Sequence, residues 1–279
     1  MSPWKIESRE EVKARTSSVM VYAESGKGKT FLCFSVVLCE TILGKPVHAL
    51  LIDMERHSLP DALVDVLYDG GLEIAHADTP DDLIANLMAR NIKDYNFIAI
   101  DGLTAMNDKN VVDKTETTKS GAPDTLRAYG TNLLSNVTLG LTTLKGLKVP
   151  VVITALEQWD RMFAGQGLKG ADGKLTETAP THMKFMPEVP GSLKQKAPAF
   201  MADAYGRLVI EGVGEQMKRR LLFSPNEYRM SKSNGLPDMT DPTMYQLLMA
   251  QGWDVTAKLS KAEMLTEMKR WSKIAEVNK

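Results

Sequence analysis

Four stretches of this chain are apolar almost without interruption over the length of a strand: residues 19–22 (Val-Met-Val-Tyr), 46–53, 96–101 and 149–155. Runs of this kind belong to strands buried on both faces, whereas a half-exposed sheet alternates apolar with polar. Helical patterns separate them. Residues 31–43 are nearly all apolar, 81–90 follow the starter Thr79-Pro80, and 126–144 show helical spacing; 72–77 reads as a weaker strand. Strand and helix in alternation predict a parallel sheet covered by helices on both faces.

Two stretches break the pattern. Residues 107–124 are rich in Asp, Lys, Thr and Ser, and residues 159–196 carry repeated Gly and Pro, so both read as long loops. From Gly206 the pattern turns to short strands at 207–211, 219–224 and 227–231, expected to extend one sheet edge in antiparallel fashion. A short helix at 243–251 and a charged amphipathic helix at 261–277, a surface helix or a docking arm, close the chain. The expected organisation is an N-terminal segment 1–16, a core 17–240 and a C-terminal helical segment 241–279.

With 279 residues and 43% hydrophobic content the chain can bury a full core, and a net charge of -1 leaves any nucleic-acid contact to a local basic patch. Cys33 and Cys39, six apart on the expected helix, suit reduced core thiols. The four histidines show no metal-ligand spacing. No run approaches membrane-spanning length and the start lacks an apolar signal core, so a cytoplasmic location and no membrane partner are expected.

Chemistry concentrates at Ala23-Glu24-Ser25-Gly26-Lys27-Gly28-Lys29-Thr30, which fits the phosphate-binding loop pattern between a strand and a helix. Glycines let successive backbone N–H groups turn inward on an anion, and the following helix adds its dipole. Residues 24–30 would cradle the triphosphate of ATP, with Lys29 on the β and γ phosphates and the Thr30 hydroxyl on a magnesium ion. Ala23 stands where Gly is usual, and Lys27 is either a second phosphate charge or a solvated loop lysine.

A magnesium–nucleotide site also needs carboxylates at strand ends. Asp101, closing Phe-Ile-Ala-Ile-Asp, has the form of a metal-holding residue. Glu55, just past Leu-Leu-Ile-Asp53, is a candidate general base with Asp53 as its competitor. Thr154 reads either as a sensor of the γ phosphate or as a satisfied buried hydroxyl.

Taken in order, residues 23–30, 50–55, 97–101 and 151–155 resemble the RecA-like ATPases, in particular a compact phage-encoded group linked to single-strand annealing and recombination. The likeness extends through Pro190–Lys196, 203–208 and 228–237. It implies a RecA-like P-loop NTPase fold, with a mostly parallel central sheet flanked by helices and an antiparallel extension at one edge. It also favours Glu55 as catalytic base. The loops after the metal strand and the sensor strand would meet single-stranded DNA, using Lys109, Lys114, Lys119, Arg161, Lys169 and Lys174, with Trp159 or Phe163 as a stacking face. Arg229 and Lys232 would reach a neighbouring subunit's ATP in a ring or filament.

The resulting expectation is an ATP-hydrolysing, DNA-binding protein of phage-type recombination or replication, with a phage single-strand-binding or replication protein as a further partner. The alternatives are a loader or remodelling ATPase acting on a protein, and an ATP-dependent oligomer with little turnover. A small-molecule kinase would need an arginine-rich lid, which the sequence does not show.

Overall fold

The computed structural model describes residues 18–89, 92–118, 120–163, 180–188, 201–212, 216–226 and 229–277. The chain opens with β1 (Ser18–Ala23), turns into α1 (Lys29–Phe34), and leaves it through a tight 3-10 turn (Ser35–Leu38) for β2 (Cys39–Ile42) and β3 (Lys45–Pro46). Then come β4 (Ala49–Asp53), α2 (Asp61–Asp69), β5 (Leu72–Ala75), α3 (Pro80–Ala89), β6 (Phe97–Asp101), α4 (Leu103–Lys114) and α5 (Thr125–Thr138). The second half contributes β7 (Val151–Phe163), β8 (Pro180–Pro187), β9 (Ala204–Glu211), β10 (Lys218–Leu222), β11 (Met239–Thr240), α6 (Met244–Ala250), β12 (Val255–Ala257) and α7 (Lys261–Val277).

The main sheet runs β11-β10-β9-β1-β7-β6-β4-β5, with β8 added on β7. From β9 to β5 every pairing is parallel, while β10 and β11 extend the edge antiparallel, as expected from the sequence. The unbroken apolar runs follow from this position: alternate residues of each strand enter different cores. Val19, Val21, Leu51 and Ala99 pack with α1, α2, α6 and α7, whereas Met20, Tyr22, Leu50, Ile98 and Ile100 pack with α3 and α4. The segment 241–279 joins the first of these cores, where α6 and α7 bury Met244, Leu247, Met264, Met268 and Trp271. The apolar face of α7 is therefore covered.

Several local expectations need correction. The apolar stretch 31–43 is not one helix. Ser35 Oγ donates to the Leu32 carbonyl (2.6 Å) and accepts the N–H of Met244 (2.8 Å), and the chain then pairs as β2 with β12, so tertiary partners override the apolar period. Cys33 and Cys39 consequently lie on different elements, both buried and free.

Residues 107–124 form a loop only in their second half. α4 occupies the first half, and its inward face is polar: buried Asn107 and Asn110 meet buried Asn136 and Asn132 of α5, with Asn110 Nδ2 donating to Asn132 Oδ1 at 2.6 Å. Lys109 and Lys114 stand on that helix, paired with Asp78 and Asp81. The stretch 159–196 likewise begins and continues in strand, since β7 runs on to Phe163 and pairs antiparallel with β8. At 229–232 there are isolated bridges, Phe185 to Arg229 and Tyr205 to Lys232, in place of a third antiparallel strand, and that position in the sheet belongs to β11.

Candidate functional site

β1 ends in the sheet's interior, next to β7, and delivers the 23–30 loop to the C-terminal ends of the parallel strands. Gly26 (φ 75°) and Gly28 (φ 88°) take the left-handed backbone that turns the loop into α1. Lys29 is buried, and its ammonium donates to the carbonyls of Ala23 (3.1 Å) and Glu24 (3.0 Å), folded against its own loop. Burial lowers its pKa, while Asp101 and Glu55 pull the other way. Lys27 pairs with Glu24 at 3.2 Å, which favours the loop-lysine reading. Glu24, Ser25 and Gly26 are exposed at the loop's tip.

The acidic side is built from the ends of three adjacent strands. Asp53 of β4 and Asp101 of β6 are register partners. Thr30, the second residue of α1, donates its hydroxyl to Asp101 Oδ2 at 2.6 Å across 71 residues of sequence. Thr154 of β7 donates to Asp101 Oδ1 and accepts the Gly102 N–H at 3.0 Å, so its hydroxyl is fully satisfied and fixed against the carboxylate. Burial pushes the Asp101 carboxyl up, against the lowering effect of the Thr154 and Thr30 hydrogen bonds. Both of those donors are neutral. A buried carboxylate whose direct donors are hydroxyls is an oxygen set that fits a small hard cation such as magnesium.

Asp53 and Glu55 differ sharply. Asp53 accepts from the N–H groups of Glu55 (3.0 Å), Arg56 (3.1 Å) and His57 (2.7 Å) and from His57 Nδ1 (3.0 Å), so its oxygens are occupied by its own turn. Burial acts to raise Asp53, and the bonds from His57 outweigh it. Glu55 meets His57 Nε2 at 3.2 Å, and this contact holds its carboxyl below the usual range despite partial burial. Its side chain lies over Gly102, where a Cβ would stand 2.8 Å from Glu55 Cγ.

The spacing argument against the histidines misses His57. Asp53, His57 and Asp101 bring ligand atoms within 4.8 Å of one another. Hydrogen bonds to Asp53 and Glu55 raise the His57 pKa to about 10, so in this arrangement it acts as the cation that bridges two carboxylates. The four-residue step from Asp53 to His57 was the only sequence signal. Arg219, also unremarked in the sequence, reaches the phosphate loop from β10.

The remaining candidates stand elsewhere. Arg229 donates to the Ser224 carbonyl at 2.7 Å and approaches Asp238 at 3.9 Å within its own chain. Lys232 is exposed, its backbone bridged to Tyr205. Arg161 and Phe163 fall on β7, and only their backbone belongs to the described structure. Lys119, Lys169, Lys174 and residues 190–196 lie outside the described residues.

No family model and no curated protein matches the chain. Solved structures do match, among them a KaiC-like protein from the hyperthermophilic archaeon Pyrococcus horikoshii, 14% identical, with a TM-score of 0.42 over 75% of this chain and 78% of that one. At that distance the likeness adds nothing about the site. Strand order, the phosphate loop after the central strand and helices on both faces make this an α/β fold of RecA-like architecture.

Proposed function

We propose that this chain is a magnesium-dependent ATPase that binds ATP on the 23–30 loop and couples hydrolysis to single-stranded DNA held at the β7–β8 hairpin. The observation that carries the nucleotide half is the Thr30 hydroxyl set 2.6 Å from the Asp101 carboxylate beside buried Lys29, which joins the two halves of a metal–triphosphate site. Thr30 and Asp101 would hold magnesium, which when bound neutralises charge between the phosphate oxygens. Lys29 exchanges its two loop carbonyls for the β and γ phosphates, and the 24–28 backbone N–H groups cradle the rest.

Glu55 is the better base of the two candidates. Asp53 has its oxygens committed to four donors in its own turn, while Glu55 has one side-chain partner, His57, and lies beside Gly102 next to the metal carboxylate. It would accept the proton of the water that attacks the γ phosphate. Thr154 gives its hydroxyl proton to Asp101, so it is a satisfied buried hydroxyl that positions this carboxylate, and its strand runs on unbroken to Phe163. That continuous strand, together with Trp159, 54% exposed on the hairpin, is what supports placing DNA there. A role in phage-type recombination or replication, and assembly into rings or filaments, follow from the sequence resemblance.

A loader acting on a protein partner gains nothing from α7, whose apolar residues pack in the core. The test is calorimetric binding of magnesium–ATP by the wild type and Lys29→Ala, then ATP turnover with and without single-stranded DNA, with particle size measured in the same samples. Binding lost in Lys29→Ala and turnover raised by DNA are expected. Normal binding by Lys29→Ala would remove the nucleotide site from this loop, and turnover indifferent to DNA would remove the DNA half.

A further inference from the structure

Arg219 sits on β10 opposite Ile210 of β9, and its backbone is pinned on both polar groups: its N–H donates to Asp241 Oδ1 (2.9 Å) and its carbonyl accepts the Asp241 N–H (2.6 Å). From this fixed point the side chain reaches the phosphate loop. A Cβ built on Gly28 would stand 3.1 Å from Arg219 Nη1 and 3.7 Å from its Cδ, so the guanidinium covers the face of Gly28 that a side chain would fill. Gly28 is thus doubly constrained, by its left-handed backbone and by this arginine.

Four other cations of the loop and of the second half of the chain are committed to partners of their own. Arg207 forms a two-bonded pair with Glu157 (2.6 and 2.8 Å), Arg220 pairs with Glu211 (3.2 Å), Arg229 takes the Ser224 carbonyl, and Lys27 takes Glu24. Among the described residues the half-buried Arg219 guanidinium makes no direct hydrogen bond or ion pair, and the carboxylate whose charge acts on it is Asp241. The guanidinium lies against Gly28, one residue before the buried Lys29, on the loop that would take the phosphates. A half-buried guanidinium with its donors unbonded at a phosphate-binding loop is a site for an anion's oxygens.

We propose that Arg219 is a nucleotide-binding residue supplied in cis, its guanidinium closing over the polyphosphate of a nucleotide seated in the 23–30 loop. This rests on the nucleotide reading above and adds to it a contact made within the subunit, independent of any neighbour. A guanidinium offers several donors in a fixed fork, so it holds phosphate oxygens in a way a lysine at this position matches only in part.

The experiment is calorimetry of magnesium–ATP with the full chain as wild type, Arg219→Ala, Arg219→Lys and Lys29→Ala, alongside melting curves without nucleotide. Arg219→Ala should lose about tenfold or more in ATP affinity, the weight of one charge-assisted hydrogen bond, with Arg219→Lys intermediate and the nucleotide-free melting temperatures alike. In equimolar mixtures of Arg219→Ala with Lys29→Ala, turnover should not exceed the mean of the two, because a cis residue cannot complement a neighbour's loop. Wild-type binding with an unchanged Arg219→Ala overturns the assignment and leaves the loop as the site. Regained turnover in the mixture also overturns it, in favour of a cation in trans. No binding by the wild type would fell the nucleotide reading itself.

Discussion

Gly102→Ala tests how closely the candidate base is tied to Asp101, the carboxylate proposed to hold magnesium. Gly102 caps α4 with φ 92° and ψ 42°, immediately after Asp101, and an added Cβ would stand 2.8 Å from Glu55 Cγ, 3.2 Å from Glu55 Oε1 and 3.3 Å from Met54 Cβ. Left-handed backbone costs alanine roughly 1–2 kcal/mol. The restricted unfolded chain returns about 0.4–1 kcal/mol. Glu55 must also swing away from a contact no real Cβ tolerates, breaking its half-exposed pair with His57, worth at most about 1 kcal/mol. The sum is a loss of about 1–2 kcal/mol in urea unfolding. Because Lys29, Thr30 and Asp101 are untouched, ATP should still bind while turnover falls by on the order of 10². Wild-type stability in the variant would refute both the left-handed strain at Gly102 and the packing of Glu55 over it, and lost stability with unchanged turnover would mean Glu55 is not the base.

Glu55→Gln should likewise keep ATP affinity and lose turnover by on the order of 10², and unchanged turnover would pass the role to Asp53. His57→Gln should reveal a pH-dependent contribution to stability. The folded pKa of His57 is raised to about 10 from an unfolded value of 6.5, so its contribution is full below pH 6.5 and fades as the pH rises through 10, while Asp53 and Glu55, both lowered, withdraw theirs as the pH falls below their unfolded values. Screened by solvent, the gap between wild type and variant should be about 1 kcal/mol near pH 6 and vanish by about pH 10; a gap that grows with pH would refute the clamp. Trp271→Ala should cost about 3–5 kcal/mol in denaturant unfolding, since α7 buries this side chain in the core shared with β1, and a loss under about 1 kcal/mol would make α7 a peripheral arm.

The sheet was legible because its strands are buried on both faces, and unbroken runs such as Phe97-Ile-Ala-Ile admit few other readings. α4 was not, because its buried face carries Thr104, Asn107 and Asn110 in place of leucines, and the partner asparagines that satisfy much of that face come from α5, more than twenty residues away. The 31–43 stretch misled for the opposite reason: an apolar period is present, but the helix tightens into a 3-10 turn at Ser35–Leu38, and β12 supplies the strand that pairs with Cys39, Thr41 and Ile42. At the site, residues within motifs could be read from spacing. His57 and Arg219 could not, because each acquires its meaning from a neighbour that only the fold supplies.

The convergence at Asp101 has a simple origin in strand parity. Val19 and Val21 of β1, Ala49 and Leu51 of β4, Phe97 and Ala99 of β6, and Val152 of β7 all enter the core beneath α1. Two residues further along their strands, on the same face, come Ala23, Asp53, Asp101 and Thr154. β4 and β6 thus change at their last inward position from core former to site former and β7 does so at Thr154, partway along its length, whereas in β1 a small alanine leaves room for the loop to turn and its carbonyl to receive Lys29. Thr30, on the helix that covers this face, is then the residue of α1 able to meet Asp101. A slip of one residue between β6 and β4 would break the Asp53–Asp101 register and send Asp101 to the α4 side, away from Thr30. The apolar residues that hold the sheet in register are therefore the same ones that aim the site.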